Sequence, residues 1–206
     1  MLSVPLLQGR YVRLEPLSHE HAGGLLAAAA EDPSIYRWTQ VPQTPGEVSR
    51  YIDKALQLRD EDRGAPFATV QAIDGAVIGS TRFFDLEYWA WPAGHTRYGC
   101  ALVDAGEIGY TWLAKSAIRT AANTEAKLLM LMYAFEVWGM LRVCLHTDER
   151  NSRSRTAIVR LGAKFEGILR SHRMAADFGP RNSARYSIVA AEWPRIKRRL
   201  MRKLYS

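Results

Sequence analysis

The sequence predicts an α/β protein in which a mixed sheet is flanked by helices. Residues 107–113 form a strand-like run rich in β-branched and aromatic residues, followed by a long apolar helix and a second strand that begins at Arg142. Two strands joined by such a helix are expected to be parallel, with a right-handed crossover. An Asp-Gly turn before this unit and a closing pair of strands after it predict antiparallel neighbours.

The first elements alternate strand and helix. Alternating apolar residues at 11–17 predict a first strand that stops at a proline. Ser18 is placed to cap an Ala-rich helix over residues 19–31. Three prolines in residues 32–45 predict a loop. A second helix follows, and its apolar face is formed by Val48, Tyr51, Ile52, Ala55 and Leu56.

A hairpin is predicted next, over residues 67–73 and 76–84. Asp74-Gly75 between these alternating runs indicates a two-residue primed turn. Residues 87–95, which contain two tryptophans and a proline, are predicted to form a loop.

The C-terminal part completes the sheet. A short helix is predicted over residues 156–161, and Gly162 should end it. An antiparallel pair over residues 165–174 and 184–189 should close the sheet. Trp193, Ile196, Leu200 and Leu204 then recur at helical spacing and predict an amphipathic tail helix.

Composition limits the class of protein. The 206 residues, 48% of them hydrophobic, predict one domain spanning residues 1–206. Cys100 and Cys144 each lie in a strand-like run and are expected to be small core residues. Apart from His146, the histidines have no carboxylate or cysteine at metal-ligand spacing, so no metal is expected. The sequence shows no secretory signal and no membrane-spanning run, and a cytoplasmic protein without a membrane partner is therefore expected.

The net charge of +7 comes largely from the basic tail. Its basic face can be solvated, or it can contact an acidic partner. A nucleic-acid-binding module is a further alternative. That alternative is disfavoured because the sequence has no recognition-helix, zinc-finger or RNP-type signature.

A candidate anion site follows residues 107–113. Residues 119–124 open the long apolar helix, whose first N–H groups lack intrahelical acceptors and carry the positive end of the helix dipole. Such a helix end is a natural seat for a phosphate. Residues 142–154 then form a second predicted strand and a polar loop that opens another helix.

These two segments, at this spacing, resemble the GCN5-related N-acetyltransferases (GNAT), in particular the ribosomal-protein N-terminal acetyltransferases of the RimJ and RimL type. The resemblance implies a GNAT fold, with a mixed central sheet of about six to seven strands and two parallel strands splayed around an acyl-CoA site. It also implies acetyl-CoA as cosubstrate, and it favours a homodimer. The basic tail can then contact the CoA phosphates.

The phosphate loop of this family follows the pattern Gln or Arg, two residues, Gly, one residue, then Gly or Ala. The matching residues here are 118–123, with Ile118 at the polar position and Ala121 at the first glycine. In a second register the pattern starts at Arg119, and Ala122 takes the glycine position. The resemblance assigns the cofactor contacts to Trp112, Leu113, Arg119, Thr120, Ala121, Ala122, Asn123, Thr124 and Asn151.

Four polar residues are candidates for the chemistry. Asn151 and Ser154 are good helix caps. The resemblance instead implies that Asn151 hydrogen-bonds the pantetheine arm and that the Ser154 hydroxyl protonates the leaving thiolate. Glu107 is either a strand-edge carboxylate in water or the base that takes a proton, directly or through water, from the attacking amine. His146 is the alternative base, although a lone histidine in an apolar strand is more often packed.

The resemblance implies direct attack of a primary amine on the thioester, with a backbone N–H of the Trp112 strand stabilising the oxyanion. An α-amino group (pKa about 7.7–8.0) costs only about 1 kcal/mol to deprotonate at pH 7, whereas a lysine (pKa about 10.4) costs about 4–5 kcal/mol. The expected acceptor is a peptide or protein N-terminus or a small-molecule amine. Trp38, Trp89 and Trp91 are expected to shape its pocket. The main alternative is a non-catalytic acyl-CoA-binding protein.

Overall fold

The computed structural model describes residues 4–206, which contain one eight-stranded sheet. The strands are β1 (Leu7–Gln8), β2 (Val12–Pro16), β3 (Gly64–Gln71), β4 (Val77–Glu87), β5 (Ala105–Leu113), β6 (Arg142–Asp148), β7 (Lys164–Met174) and β8 (Pro180–Val189). Their order is β1-β2-β3-β4-β5-β6-β8-β7, and β5 with β6 is the one parallel pair in the described range. The mixed sheet is as expected. The strand number exceeds the expected six to seven because the short β1 pairs with β2.

The helices cover both faces of the sheet. They are α1 (Ala22–Ala30), α2 (Pro45–Asp60), α3 (Ala122–Met132), α4 (Ser152–Leu161) and α5 (Trp193–Tyr205). Neighbouring residues of β4 point to opposite faces: Thr81 bonds to Lys127 of α3, while the Arg82 guanidinium lies 4.9 Å from the Tyr51 ring of α2. No helix within residues 4–206 has the length and apolarity required to cross a bilayer.

Several helix limits follow the signals in the sequence. Ser18 precedes a 3-10 turn (His19–His21) that leads into α1. Gly162 ends α4 with a φ of +105°, a conformation that favours glycine. The amphipathic tail helix is confirmed, because α5 buries Trp193, Ile196, Leu200 and Leu204.

Two local predictions are wrong. A longer loop joins β3 to β4, closed by hydrogen bonds from Gln71 N to Ala76 O and from Gly75 N to Gln71 O. Gly75 has a positive φ but Asp74 does not, and the Asp74 carboxylate accepts from Ala76 N instead. The type I′ turn needs positive φ at both positions and therefore does not form. Cys100 lies exposed in the loop before β5 rather than in a buried strand.

The parallel strands β5 and β6 separate soon after they meet. They pair only at Ala105–Arg142, Gly106–Val143 and Glu107–Cys144, although both strands continue well beyond these positions. On its other side, β5 carries a bulge against β4, at which Tyr110 takes a φ of +50°. A bulge bends and twists its strand, which here turns β5 away from β6. The result is a cleft in the middle of the sheet.

Glu125 of α3 joins both ends of the described chain to the central helix. Its buried carboxylate accepts the backbone N–H groups of Arg10, Tyr11 and Val12 at 2.6–2.9 Å and the Tyr205 hydroxyl at 2.7 Å. Burial, together with this carboxylate, raises the pKa of Tyr205, which keeps the hydroxyl protonated as a donor. Gly9 is required at this point, because a Cβ there would lie 2.4 Å from Glu125 Oε2.

Replacing Glu125 is expected to destabilise the fold strongly. Glu125→Ala leaves three backbone donors and one hydroxyl without their acceptor, and we expect a loss of roughly 3 kcal/mol or more in the free energy of unfolding. The matched control is Tyr205→Phe, which removes one of the four bonds and should cost about 1 kcal/mol. Urea unfolding measures both values. Equal losses in the two variants would show that the carboxylate does not anchor the N-terminal strands.

Candidate active site

The cleft between the separated ends of β5 and β6 has a volume of about 2090 Å³. Pockets for one small ligand are typically about 300–1,000 Å³, so this cleft can hold two ligands side by side. Its walls are the loop between α1 and α2, the N-terminal ends of α3 and α4, and the turn between β7 and β8. Basic residues outnumber acidic ones among the residues that line it.

The N-terminal end of α3 presents unpaired backbone donors to the cleft. Thr120 Oγ1 donates to Ala117 O at 2.7 Å and accepts from Ala122 N at 3.2 Å, which holds the loop against the first helical turn. Arg119 takes a φ of +65°, which reverses the chain direction just before the helix. Within residues 4–206, no protein acceptor bonds to the N–H groups of Arg119, Thr120, Ala121, Asn123 and Thr124. This arrangement fits a phosphate.

Asn151 and Ser154 lie across the cleft at the start of α4. Asn151 caps this helix, since its Oδ1 accepts from Ser154 N at 3.1 Å. The cap uses only the carbonyl oxygen, so the Asn151 amide N–H groups stay available to a ligand. Both residues line the cleft, and capping therefore does not remove them from it.

Glu107 lies where β5 and β6 part, and it is buried with a 5% exposed surface. Its Oε2 accepts from Arg173 at 2.8 Å and lies 2.8 Å from His146 Nδ1, although that ring is not oriented for a hydrogen bond. A strand-edge carboxylate in water is thus excluded. The ring centres of His146 and His172 lie 5.0 Å apart. Burial, together with the Arg173 charge, lowers the pKa of His172.

The sequence profile of the acetyltransferase (GNAT) domain family matches residues 12–164, which include both strands of the cleft. The chain belongs to the GNAT acetyltransferase family. No curated protein matches the sequence.

Solved structures show the same fold. A GCN5-related N-acetyltransferase from Brucella melitensis shares 29% identity over 97% of this chain and 85% of its own, with a TM-score of 0.82. A protein from T. thermophilus described as an acetyltransferase shares 32% identity over the full length of both chains, with a TM-score of 0.79. RimJ from Mycobacterium smegmatis, in complex with CoA-disulfide, matches at 19% identity over 93% of this chain and 88% of its own, with a TM-score of 0.75. At that identity the likeness to RimJ concerns the fold.

Within this GNAT domain, the residues predicted to contact the cofactor line the cleft, with one exception. Ala122 is buried in the first turn of α3 and does not line it. Lys115, a basic residue between β5 and α3, is bonded to Asp32 at 2.9 Å and lies outside the cleft. Their individual contacts with a ligand remain predictions.

The three tryptophans are not brought together. Trp38 lines the cleft, with the guanidiniums of Arg37 and Arg150 4.8 and 4.7 Å from its ring centre. Trp89 N and Trp91 Nε1 instead donate to Asp104 at 2.7 and 3.0 Å, and neither tryptophan is among the residues that line the cleft. The sequence does not reveal that both tryptophans bond to Asp104, because this carboxylate follows 13 to 15 residues later in the chain.

Lys127 is a cleft residue that the sequence did not indicate. It lies on α3 beneath β5, where its buried Nζ donates to Thr81 Oγ1 at 2.8 Å and to Thr111 Oγ1 at 2.6 Å. Burial lowers the pKa of Lys127 to about 7, so the amine is partly neutral near neutral pH. The helical pattern around it showed a polar residue among apolar ones, which was the available signal.

Removing one N–H group at the head of α3 is expected to weaken CoA binding to this GNAT domain. Ala121 has a φ of −68°, which proline can adopt, so Ala121→Pro removes the donor while preserving the local backbone. A charge-assisted hydrogen bond contributes about 1.5–3 kcal/mol, and we expect the Kd for CoA to rise about 10- to 100-fold. Ala121→Ser, which keeps the N–H, is the matched control. Calorimetry that gave the same Kd for both folded variants would place the phosphates elsewhere.

Proposed function

We propose that this protein is an acetyl-CoA-dependent N-acetyltransferase that acts on a primary amine, most readily an α-amino group of a peptide, a protein N-terminus or a small molecule. One observation carries the proposal. The cleft places the unpaired N–H groups of α3 on one side of β5 and the buried carboxylate of Glu107 at the point where β5 and β6 part. A phosphate-binding end and a proton acceptor therefore share one groove of a GNAT domain.

The chain supplies binding and positioning for the cosubstrate. The N–H groups between Arg119 and Thr124 hold its diphosphate, and Asn151 donates from its amide nitrogen to the pantetheine arm. When bound, acetyl-CoA supplies the activated acetyl group. Beyond Glu107, β5 has no partner strand on the β6 side, so its backbone N–H groups there can stabilise the oxyanion that develops on the thioester. The Ser154 hydroxyl protonates the departing thiolate, and water in the cleft returns a proton to the serine as Glu107 releases the one that it took from the amine.

Glu107 is the proposed base for the amine. Arg173 and His146 contact its Oε2, which fixes the carboxylate. Its Oε1 makes no hydrogen bond to the described residues and lies 3.4 Å from where a Cβ on Gly109 would be. The missing side chain at Gly109 thus leaves space in front of the free oxygen. A single carboxylate suits an α-amine, which costs about 1 kcal/mol to deprotonate at pH 7, better than a lysine at about 4–5 kcal/mol.

Calorimetry with acetyl-CoA, followed by a thiol-release assay with a panel of amines, tests the activity. We expect binding of acetyl-CoA and amine-dependent release of CoA, with peptides that carry a free α-amine reacting faster than N-blocked peptides that offer only a lysine. Binding without release for any amine would favour the non-catalytic acyl-CoA-binding alternative. Absence of binding would exclude both functions.

Glu107→Gln is expected to slow acetyl transfer to an α-amine at neutral pH. Gln keeps the shape of the side chain but cannot accept the proton. The defect in kcat/KM should shrink between about pH 6 and pH 9, because free amine then forms without a base. Glu20→Gln changes an exposed carboxylate that does not line the cleft and serves as the control. If the loss in kcat/KM stays constant over this pH range, the base is His146, Lys127 or water instead of Glu107.

A further inference from the structure

Arg82 of β4 is a buried cation without an acceptor. Its side chain lines the cleft, yet the residue is only 3% exposed. Its Nε and Nη2 atoms have no hydrogen-bond partner in the described part of the chain, and no carboxylate there forms an ion pair with it. Buried arginines are normally paired, since an uncompensated buried charge is costly.

Two tyrosine rings hold the Arg82 guanidinium in place. Its central carbon lies 4.9 Å from the ring centre of Tyr51 on α2 and 4.3 Å from that of Tyr110 on β5. Cation–π contacts of this kind offset part of the desolvation cost. The ring faces offer no oxygen acceptor, however, so the Nε and Nη2 donors, whose N–H bonds lie in the guanidinium plane, stay unused in the described part of the chain. The positive φ of Tyr110 at the β5 bulge brings its ring to this position.

Arg82 and Glu107 are close neighbours on one face of the sheet. In the ladder between β4 and β5, Arg82 lies opposite Gly109, and Phe84 lies opposite Glu107. The side chains of Arg82 and Glu107 are therefore diagonal cross-strand neighbours. Such neighbours are about 7–8 Å apart at the backbone, a distance that one small molecule can span. Between them, Gly109 leaves an opening that a Cβ would narrow, since it would lie 2.8 Å from Phe84 Cε1.

This end of the cleft carries a surplus of positive charge. Arg82, Arg173 and Arg181 line it. The carboxylates of Glu107 and Asp85 contact this group of arginines, and both accept from Arg173. Burial, reinforced by repulsion from Arg173, lowers the pKa of Arg181, as expected for crowded cations. A cleft lined by one sign of charge attracts ligands of the opposite sign. The positive end lies beside the proposed base, where the acceptor amine must sit.

We propose that Arg82 binds a carboxylate of the acceptor, so that the substrate is a primary amine that carries a carboxylate within a few bonds of its nitrogen. The planar guanidinium can donate to both carboxylate oxygens in a bidentate pair. The amine then lies at Glu107 and the carboxylate at Arg82. This inference rests on the proposed acetyltransferase function and names the class of its acceptor. The carboxylate can be the side chain of an acidic N-terminal residue or the α-carboxylate of a free amino acid.

Matched acceptor pairs test the inference on the wild-type protein. One arm compares tripeptide amides that begin with Asp or Glu with those that begin with Asn or Gln. The other compares free amino acids with their methylamides, with rates referred to the concentration of unprotonated amine. We expect kcat/KM to favour the acid by tenfold or more in one arm, and that arm identifies the source of the carboxylate. Equal rates for acids and amides in both arms would overturn the inference and leave the acetyltransferase function intact.

Variants of Arg82 assign the preference to this side chain. Arg82→Gln should reduce the acid-over-amide ratio to near one while transfer to the amide persists, and Arg82→Lys should keep only part of the preference. Arg59→Gln, a change at a partly exposed arginine outside the cleft, should keep the wild-type ratio. An acid preference that survives in folded Arg82→Gln would overturn the role of Arg82.

If the Arg82 variants fail to fold, the wild-type acid-over-amide ratio alone decides on the acceptor class. Failure of CoA release with every amine would overturn the acetyltransferase proposal and this inference together.

Discussion

The separation of β5 from β6 is the constraint on which the remaining arrangement depends. Each strand is secured on its outer side, β5 by β4 and β6 by an unbroken ladder with β8 from Arg142 to Asp148. The inner edges can therefore part without loss of the sheet. The N–H and C=O groups on these inner edges need other hydrogen-bond partners, because an unpaired backbone group away from water lowers the stability of the fold. A groove of this kind is stable only with water or a ligand in it, and its donors are consequently available for binding.

Much of the architecture follows from local signals in the sequence. The order of strand, turn, apolar helix and strand predicted the parallel pair, and helical spacing predicted α5. Other features depend on distances that no local pattern encodes. Glu107 meets Arg173, which is 66 residues away, only because β7 and β8 fold back beside β6. The register of β5 on β6, which pairs Glu107 with Cys144, also places His146 on the same face and was not evident beforehand.

Two buried basic side chains lie on opposite sides of the sheet at the same place along β4. Lys127 approaches Thr81 from α3, and Arg82, the next residue, faces α2. Lys127 stands among apolar residues of its helix, but charge at a single position does not show burial, and the sequence therefore singled out neither residue. Neither forms an ion pair in the described structure, so each lowers stability relative to an apolar side chain. Local features that reduce stability in this way concentrate at functional sites, and both residues line the cleft.

The Glu125 anchor has a kinetic consequence. Its carboxylate accepts from donors 113 to 115 residues earlier in the chain and from a hydroxyl 80 residues later. Contacts between such distant residues carry a high loop-closure entropy, and they raise the contact order, which slows folding. The final position of α3, and with it that of the helix end that lines the cleft, therefore depends on contacts that close loops of 80 to 115 residues.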